Sequence, residues 1–338
     1  MATPSLVVGL DVGGTSNNVT VLSRDGRFLV DQLLEIPSRV LEGPEVALGA
    51  LAQAYHLGLA DVGADHSDVL AVGLDTPGPA SADGVLSKRG ATNFSGPEWR
   101  GFDIRTALEI ALGRPVVYSN DGNAAAMYAH YSHFGPVAPD RSSISAIVGT
   151  GLGGGVIEAG RIVAGGSGMG GELGHVHVPA ATILEPDQPV PTCNCGFESD
   201  AESYASLTGI RKNLLPYWLT RYPDHPLAEV DLAAAARQVR GLAARDRDPL
   251  AMAIFDQQTK AIGHLFTIAA NFTDPDAFFL GGGIVEAERW FRDWYLDAVR
   301  RHTRLRDEQA EHVEFATVPD LDMAGARGAA LAALRAVG

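Results

Sequence analysis

One unit occurs twice along this chain: an apolar strand, a glycine-rich turn, a second strand, a short turn and a third strand. The first copy runs Ser5 to Leu10, Asp11-Val12-Gly13-Gly14-Thr15, Asn18 to Leu22, Arg24-Asp25-Gly26 and Phe28 to Ile36. The second runs Ile144 to Val148, Gly149 to Gly155, Val156 to Glu158, Ala159-Gly160 and Arg161 to Val163. Short β-branched runs broken by glycine turns read as strand meanders. Two copies about one domain apart imply duplicated lobes, with a cleft between their glycine turns. Helical stripes and apolar strands follow each copy. After the first come a helix over Pro44 to Leu59, a strand over Val69 to Leu74, a helix over Ile104 to Leu112 and a strand over Pro115 to Tyr118. A further helix begins near Asn123. After the second come helices over 203–218, 229–244 and Leu250 to Phe272, a strand over Ala277 to Leu280, and helices near 286–300 and over Gly325 to Val337. Residues 80 to 100 carry no periodicity and read as a long surface excursion, and 180 to 192 as a proline-rich loop. The class is α/β. With 338 residues, more than one compact core holds well, two lobes are expected: 1–122 plus about 322–338, and 123–321.

A formal net charge of −15 argues against nucleic-acid or anionic-membrane partners, which need a basic footprint. It leaves room for a nucleotide, since Mg²⁺ and backbone N–H groups supply local positive potential. The only cysteines, Cys193 and Cys195, stand two apart and suggest a metal site or nothing rather than a disulfide framework. There is no charged-then-apolar leader pattern and no apolar run near the ~18–20 residues of a membrane span, so a cytoplasmic protein is expected.

The stretch Gly149-Thr150-Gly151-Leu152-Gly153-Gly154 matches G-x-G-x-x-G, but a β-branched pair and another turn follow where a dinucleotide fold needs a helix. No G-x-x-x-x-G-K-[ST] is present either. What remains is a hairpin type of phosphate loop, in which consecutive N–H groups form an anion nest. Thr15 and Thr150 add hydroxyls, and Asp11 adds a carboxylate suited to Mg²⁺ or its waters. Asn120-Asp121 falls where a strand ends and a helix starts, the usual position of ligand-binding groups in open α/β sheets. Asp121 reads either as a proton acceptor or as the cap of that helix.

Taken in order, these stretches resemble the ROK sugar kinases and repressors over nearly the whole chain. The family's first phosphate loop is similar to Asp11 to Thr15 (with Gly13 and Gly14), its second to Gly149 to Gly155 (with Thr150, Gly151 and Gly153), and its adenosine loop to Gly281-Gly282-Gly283. Its Asn-Asp catalytic motif resembles Asn120-Asp121. Its Gly-Glu-(Ile/Leu)-Gly-His motif resembles Gly171-Glu172-Leu173-Gly174-His175, and its cysteine signature is partly met by Cys193-Asn194-Cys195-Gly196 with Glu202. The resemblance implies a two-lobed actin/hexokinase-like (ribonuclease H-like) fold with a duplicated βββαβαβα unit and a central cleft. It implies ATP- and Mg²⁺-dependent phosphorylation of a hexose, commonly glucose, at the 6-hydroxyl, with Asp121 as general base. Asn120, Asp121, Glu172, His175 and Glu202 are implied sugar ligands. Asp75-Thr76-Pro77-Gly78-Pro79 resembles the sugar-side Pro-Gly loop, which adds Gly78 and, from the excursion, Asn93. Homodimers or tetramers are common in the family.

Two departures stand out. Ser16 follows the first loop where the family usually has Lys or Arg, and Asp200, after Ser199, replaces the third cysteine of the signature. The family's structural zinc would therefore fall to His175, Cys193, Cys195 and Asp200, and an Asp oxygen is an acceptable ligand. The alternative is a metal-free loop in which Asp200 bonds the backbone. Fructose, mannose, allose or an N-acetyl sugar are alternative acceptors, and polyphosphate an alternative donor. A catalytically silent sugar sensor is the other reading. A family repressor would carry a helix-turn-helix before the kinase-like part, for which a first loop at residue 11 is expected to leave no room.

Overall fold

Alternation of apolar side chains makes each glycine turn the bend between two strands. In the computed structural model, which describes residues 5–319 and 321–337, β1 (Leu6–Val12) pairs antiparallel with β2 (Ser16–Ser23), Val12 lying opposite Asn17. Of the expected lobe ranges, residues 1–4, 320 and 338 lie outside the described residues. β3 (Leu34–Pro37) pairs antiparallel with β2 and is shorter than the expected Phe28 to Ile36. Asp31, Gln32 and Leu33 are exposed in succession, which breaks the period of two, so only Phe28 bridges back to Leu22 before the ladder resumes. β4 (Val69–Thr76) and β5 (Val116–Asn120) add in parallel, giving the order β3-β2-β1-β4-β5.

The two faces of this sheet are covered differently. Val8, Leu10, Val72 and Leu74 join one buried cluster with Ala47, Leu51 and Tyr55 of α1 (Pro44–Asp61) and Ile104 and Leu108 of α2 (Ile104–Leu112). By alternation Gly9 faces the other way, opposite Gly73 in register. A Cβ at Gly9 would lie 2.0 Å from the Ala326 carbonyl oxygen, and one at Gly73 2.0 Å from that of Ala329. Two missing side chains thus let the C-terminal helix lie directly on the backbone of β1 and β4.

The excursion over 80–100 is not a free surface loop. Leu86, Phe94 and Trp99 are buried in the first cluster, the Phe94 and Trp99 rings meet edge-on at 4.7 Å, and Trp99 Nε1 donates to the Val40 carbonyl at 2.9 Å. Their irregular spacing hides them from any periodic reading.

The second sheet has the order β10-β9-β6-β7-β8, from β6 (Ser143–Val148), β7 (Leu152–Glu158), β8 (Arg161–Ile162), β9 (Ala277–Gly282) and β10 (Glu314–Thr317). Read from the other edge, β8-β7-β6-β9-β10 repeats β3-β2-β1-β4-β5, so the duplication is structural. β10 has no counterpart in the sequence reading; four residues on a sheet edge are too few to show a pattern.

The remaining helices are α3 (Asp121–Phe134), α4 (Leu207–Gly209), α5 (Leu215–Arg221), α6 (Leu232–Gly241), α7 (Pro249–Thr273), α8 (Arg289–His302), α9 (Asp307–Ala310) and α10 (Leu321–Val337). The helix expected over 203–218 is broken by a π segment, Ile210–Leu214, just before Pro216. Proline offers no N–H to continue the i→i−4 ladder, and a wider turn absorbs the gap.

The chain divides into two compact units, Met1–Asp140 with Gly155–Gly171 and Pro319–Gly338, and Arg141–Gly154 with Glu172–Val318. Among the described residues no helix is long and apolar enough to cross a membrane.

Candidate active site

In the first unit, three carboxylates gather where parallel strands end. Asp11 lies opposite Asp75 in the β1/β4 register, and Asp121 opens α3 directly after β5. Gly325 of α10 covers the first two: a Cβ there would lie 2.8 Å from Asp11 Oδ2 and 3.0 Å from Asp75 Oδ2. Asp75 is fully buried, and neither of its carboxylate oxygens has a hydrogen-bond partner among the described residues. Burial first, then Asp11 and Asp121, pushes its carboxyl well above the ordinary value. Burial also pushes Asp11 up to about 6, against the pull of Asn18, whose Nδ2 donates to Oδ2 at 3.1 Å.

Asp121 is raised too, by the protein crowded around it, while Gly122 N–H donates to its Oδ1 at 2.8 Å. Its side chain still reaches solvent, so the push on it counts for less than that on Asp75. Capping of α3 falls to Asn120, whose Oδ1 accepts the Asn123 N–H at 2.7 Å. The cap role weighed for Asp121 therefore belongs to its neighbour.

The first glycine turn closes through Gly13 N–H to the Ser16 carbonyl at 2.7 Å, leaving Thr15 exposed. Asn93 packs its amide on Gly14, where a Cβ would lie 2.8 Å from the Asn93 Cγ. The Gly78 carbonyl accepts Thr92 N–H at 2.9 Å, and the Gly78-Pro79 peptide is cis. Those bonds bring Gly78, Asn93 and the turn Gly13 to Thr15 together.

In the second unit the glycine turn is tighter than expected. β7 begins at Leu152, so Gly153, Gly154 and Gly155 are strand residues and only Gly149 to Gly151 make the bend. Gly153 therefore sits, exposed, on the strand beyond the turn. Thr150 stands exposed at the tip; its carbonyl accepts Thr208 N–H at 3.2 Å and Oγ1 at 2.9 Å, and the Gly149 carbonyl accepts Leu207 N–H at 3.0 Å. The Gly281-Gly282-Gly283 loop folds onto the end of β6. Gly282 has φ +82°, a Cβ on it would lie 2.1 Å from the Val148 carbonyl oxygen, and Gly283 N–H donates to that oxygen at 3.1 Å. Arg240 of α6 donates to the Gly283 carbonyl and pairs with Glu286 at 3.3 Å.

Glu172 precedes the 3-10 turn Leu173–His175, and its carbonyl accepts His175 N–H at 3.2 Å. His175 faces three other donors. Its Nδ1 lies 3.0 Å from Asp200 Oδ2, 3.6 Å from Cys195 Sγ and 3.9 Å from Cys193 Sγ. One ligand atom from each of the four lies within 4.8 Å of the others, which fits the nitrogen, sulfur and oxygen set of a tetrahedral divalent metal such as zinc. Asp200 also bonds the backbone: Oδ1 accepts Ser203 N–H at 2.9 Å and caps the turn Ala201–Ser203 that carries Glu202. Oδ1 thus serves the backbone while Oδ2 stays in the His175 cluster. The Asp200 bond raises His175 to about 9 despite partial burial, with Cys195 and Glu202 adding to it. Burial opposes ionisation of Asp200, yet His175, Cys193 and the Ser203 amide together hold it below its ordinary value. Burial pushes the Cys193 thiol up.

Asn18, Gly325, Thr208 and Arg240 were not among the expected site residues, and Asp75 entered only as the start of the Pro-Gly loop. Asn17-Asn18 did carry a signal, since two amides are out of place inside a strand unless they have a partner to serve. Gly325 and Arg240 carry none; the fold alone brings Gly325 onto Asp11 and Asp75, and Arg240 onto Gly283.

The model of the ROK family matches residues 7–336. A glucokinase of Halalkalibacterium halodurans is 30% identical over 297 residues, spanning 87% of this chain and 84% of the relative. Among solved structures, a ROK hexokinase from Thermus thermophilus superposes with a TM-score of 0.76 at 33% identity, over 98% of this chain and 99% of that one. A ROK family glucokinase from Streptomyces griseus, solved with glucose and AMPPNP, superposes with a TM-score of 0.68 at 27% identity, again over 98% and 99%. The fold is the actin/hexokinase-like one that the family resemblance implied, and the chain belongs to the ROK family.

Proposed function

We propose that this chain is an ATP-dependent hexose kinase with glucose as its first candidate acceptor, and that Asp121 is the general base. The observation that carries the reading is the corner between β5 and α3. Asn120 supplies the helix cap, which releases Asp121 from that task and leaves its carboxylate reaching solvent beside Asp11. An acceptor 6-hydroxyl bound there gives its proton to Asp121 as O6 attacks the γ-phosphorus, and the bond from phosphorus to the bridging oxygen of ADP breaks. The upward push on Asp121 suits that task, since a less acidic carboxyl is the better proton acceptor.

The exposed turns at Thr15 and Thr150 offer N–H groups and hydroxyls to the phosphates of ATP, and Asp11 would hold the Mg²⁺ that ATP carries or its waters. Gly281, Gly282 and Gly283 form the adenosine side, with Arg240 fixing the loop. Asn120, Gly78, Asn93, Glu172, His175 and Glu202 are the proposed sugar ligands. Zinc bound by His175, Cys193, Cys195 and Asp200 would add rigidity, holding the His175 ring in one orientation.

A coupled ADP-release assay over a panel of hexoses and N-acetylhexosamines tests the reading. Glucose turnover with ATP is the expected result, and Asp121→Ala should lower kcat by about 10²–10⁴-fold. Absence of turnover with every sugar, or near-normal turnover by the variant, would overturn it.

A further inference from the structure

Glu202 does more in this structure than wait for a sugar. Its Oε2 accepts the Leu152 N–H at 2.8 Å, at the point where the Gly149–Gly151 turn enters β7. A side chain at Gly151 would push this carboxylate aside: a Cβ there would lie 2.6 Å from the same oxygen. The other oxygen, Oε1, accepts from Cys193 Sγ at 3.4 Å. Gly174 closes the packing from the opposite side, since a Cβ on it would lie 2.3 Å from the Leu152 carbonyl oxygen and 3.4 Å from Glu202 Cβ. The remaining braces on the turn, Leu207 N–H to Gly149 and the Thr208 N–H and Oγ1 to Thr150, come from the same short segment. That segment starts at Asp200, whose Oδ1 caps the turn carrying Glu202 and whose Oδ2 belongs to the His175 cluster. Ser206 Oγ, donating to the Glu202 carbonyl at 2.8 Å, stiffens the span between the two sets of braces.

We propose that Glu202 is a positioning residue for the phosphate-donor hairpin: its carboxylate braces Leu152, so that segment 200–208, folded around the cysteine cluster, governs how tightly the hairpin holds a nucleotide. The inference rests on the kinase reading for the identity of the ligand. The bond between Glu202 and Leu152 stands without it. Gly174 then lets the backbone approach that this brace needs, and Gly151 leaves the carboxylate its place.

The test separates a brace from a sugar contact. Binding of a nonhydrolysable ATP analogue with Mg²⁺ is measured by calorimetry without sugar, and amide exchange is followed over residues 149–158. Glu202→Ala should weaken nucleotide binding about tenfold or more, the loss of one charge-assisted hydrogen bond, and speed exchange in that peptide. Glu202→Gln, which keeps an oxygen for Leu152 N–H, should recover most of both. Thr208→Val, a milder cut in the same frame, should weaken binding a few-fold and guards against misfolding of the first variant. Should wild-type protein bind the analogue and Glu202→Ala bind it equally well with unchanged exchange, the brace is overturned while the kinase reading stands. If wild-type protein binds no nucleotide, the kinase reading falls and takes the claim on nucleotide affinity with it; exchange over 149–158 still decides whether the brace exists.

Discussion

Asp75 and Asp200 are both fully buried, one in each unit, and they are opposites. Asp200 is surrounded by donors: His175, Cys195 and the Ser203 amide all reach it, and its carboxyl is held low. Asp75 has no hydrogen-bond donor for either oxygen among the described residues, has Asp11 opposite it in register, and is pushed high. Depth of burial therefore does not decide the state of a carboxylate; its partners do. The second unit uses buried charge to brace a loop. The first keeps a buried carboxyl whose ionisation is opposed beside Asp11 and Asp121, at a standing cost to stability.

The sharpest way to break this contrast is to compare the regions by function. Asp121→Ala in the first unit should cost the 10²–10⁴-fold in kcat already described while leaving the melting temperature within roughly 2 °C of wild type. A large thermal loss instead would make Asp121 structural.

The next tests are on stability. Asp200→Ala strips a partner from His175 and the cap from the turn Ala201–Ser203. A loss of about 2–3 kcal/mol is expected in denaturant titrations, discounted because His175 is partly exposed. Asp75→Asn should do the reverse, stabilising by about 1–2 kcal/mol at pH 7, because it removes a buried carboxyl whose ionisation the fold opposes. The pH dependence has a definite sign. Below the unfolded value of 3.8 the Asp75 carboxyl is neutral in both states and the advantage vanishes. Above it the unfolded chain ionises first, so the advantage grows with pH. Equal effects of the two substitutions would erase the contrast.

The smallest effect concerns His175 in metal-stripped protein. Its folded value of about 9 lies above the ordinary 6.5, so its contribution is fully present below pH 6.5 and is lost as pH rises through about 9. Thermal melts of chelator-treated protein should drop across that window, and Asp200→Asn should flatten the drop. A flat profile in the unsubstituted protein would show that the His175–Asp200 pair contributes nothing when the metal is gone.

Much of the frame was legible in local chemistry. Strands at 6–12, 69–76 and 277–282 and helices at 104–112 and 249–273 follow runs of apolar side chains with a clear period or clear ends. The glycine turns were legible because Gly13-Gly14 and Gly149-Thr150-Gly151 interrupt such runs. Where period failed, the reading failed. Phe94 and Trp99 bury themselves from an irregular excursion, Gly153 is strand rather than turn, and Pro216 splits an expected helix with a π segment.

The sequence by itself determined the duplicated meander, the family and the residue types at the site, because strands, turns and short motifs are written in neighbouring residues. Tertiary structure alone decided which of those residues stand in one place. It set Asp75 without a donor opposite Asp11, laid Gly325 over both, and tied Glu202 to a hairpin about fifty residues earlier in the chain. Those outcomes depend on how strands register and how closely helices approach, and such distances have no counterpart in linear order.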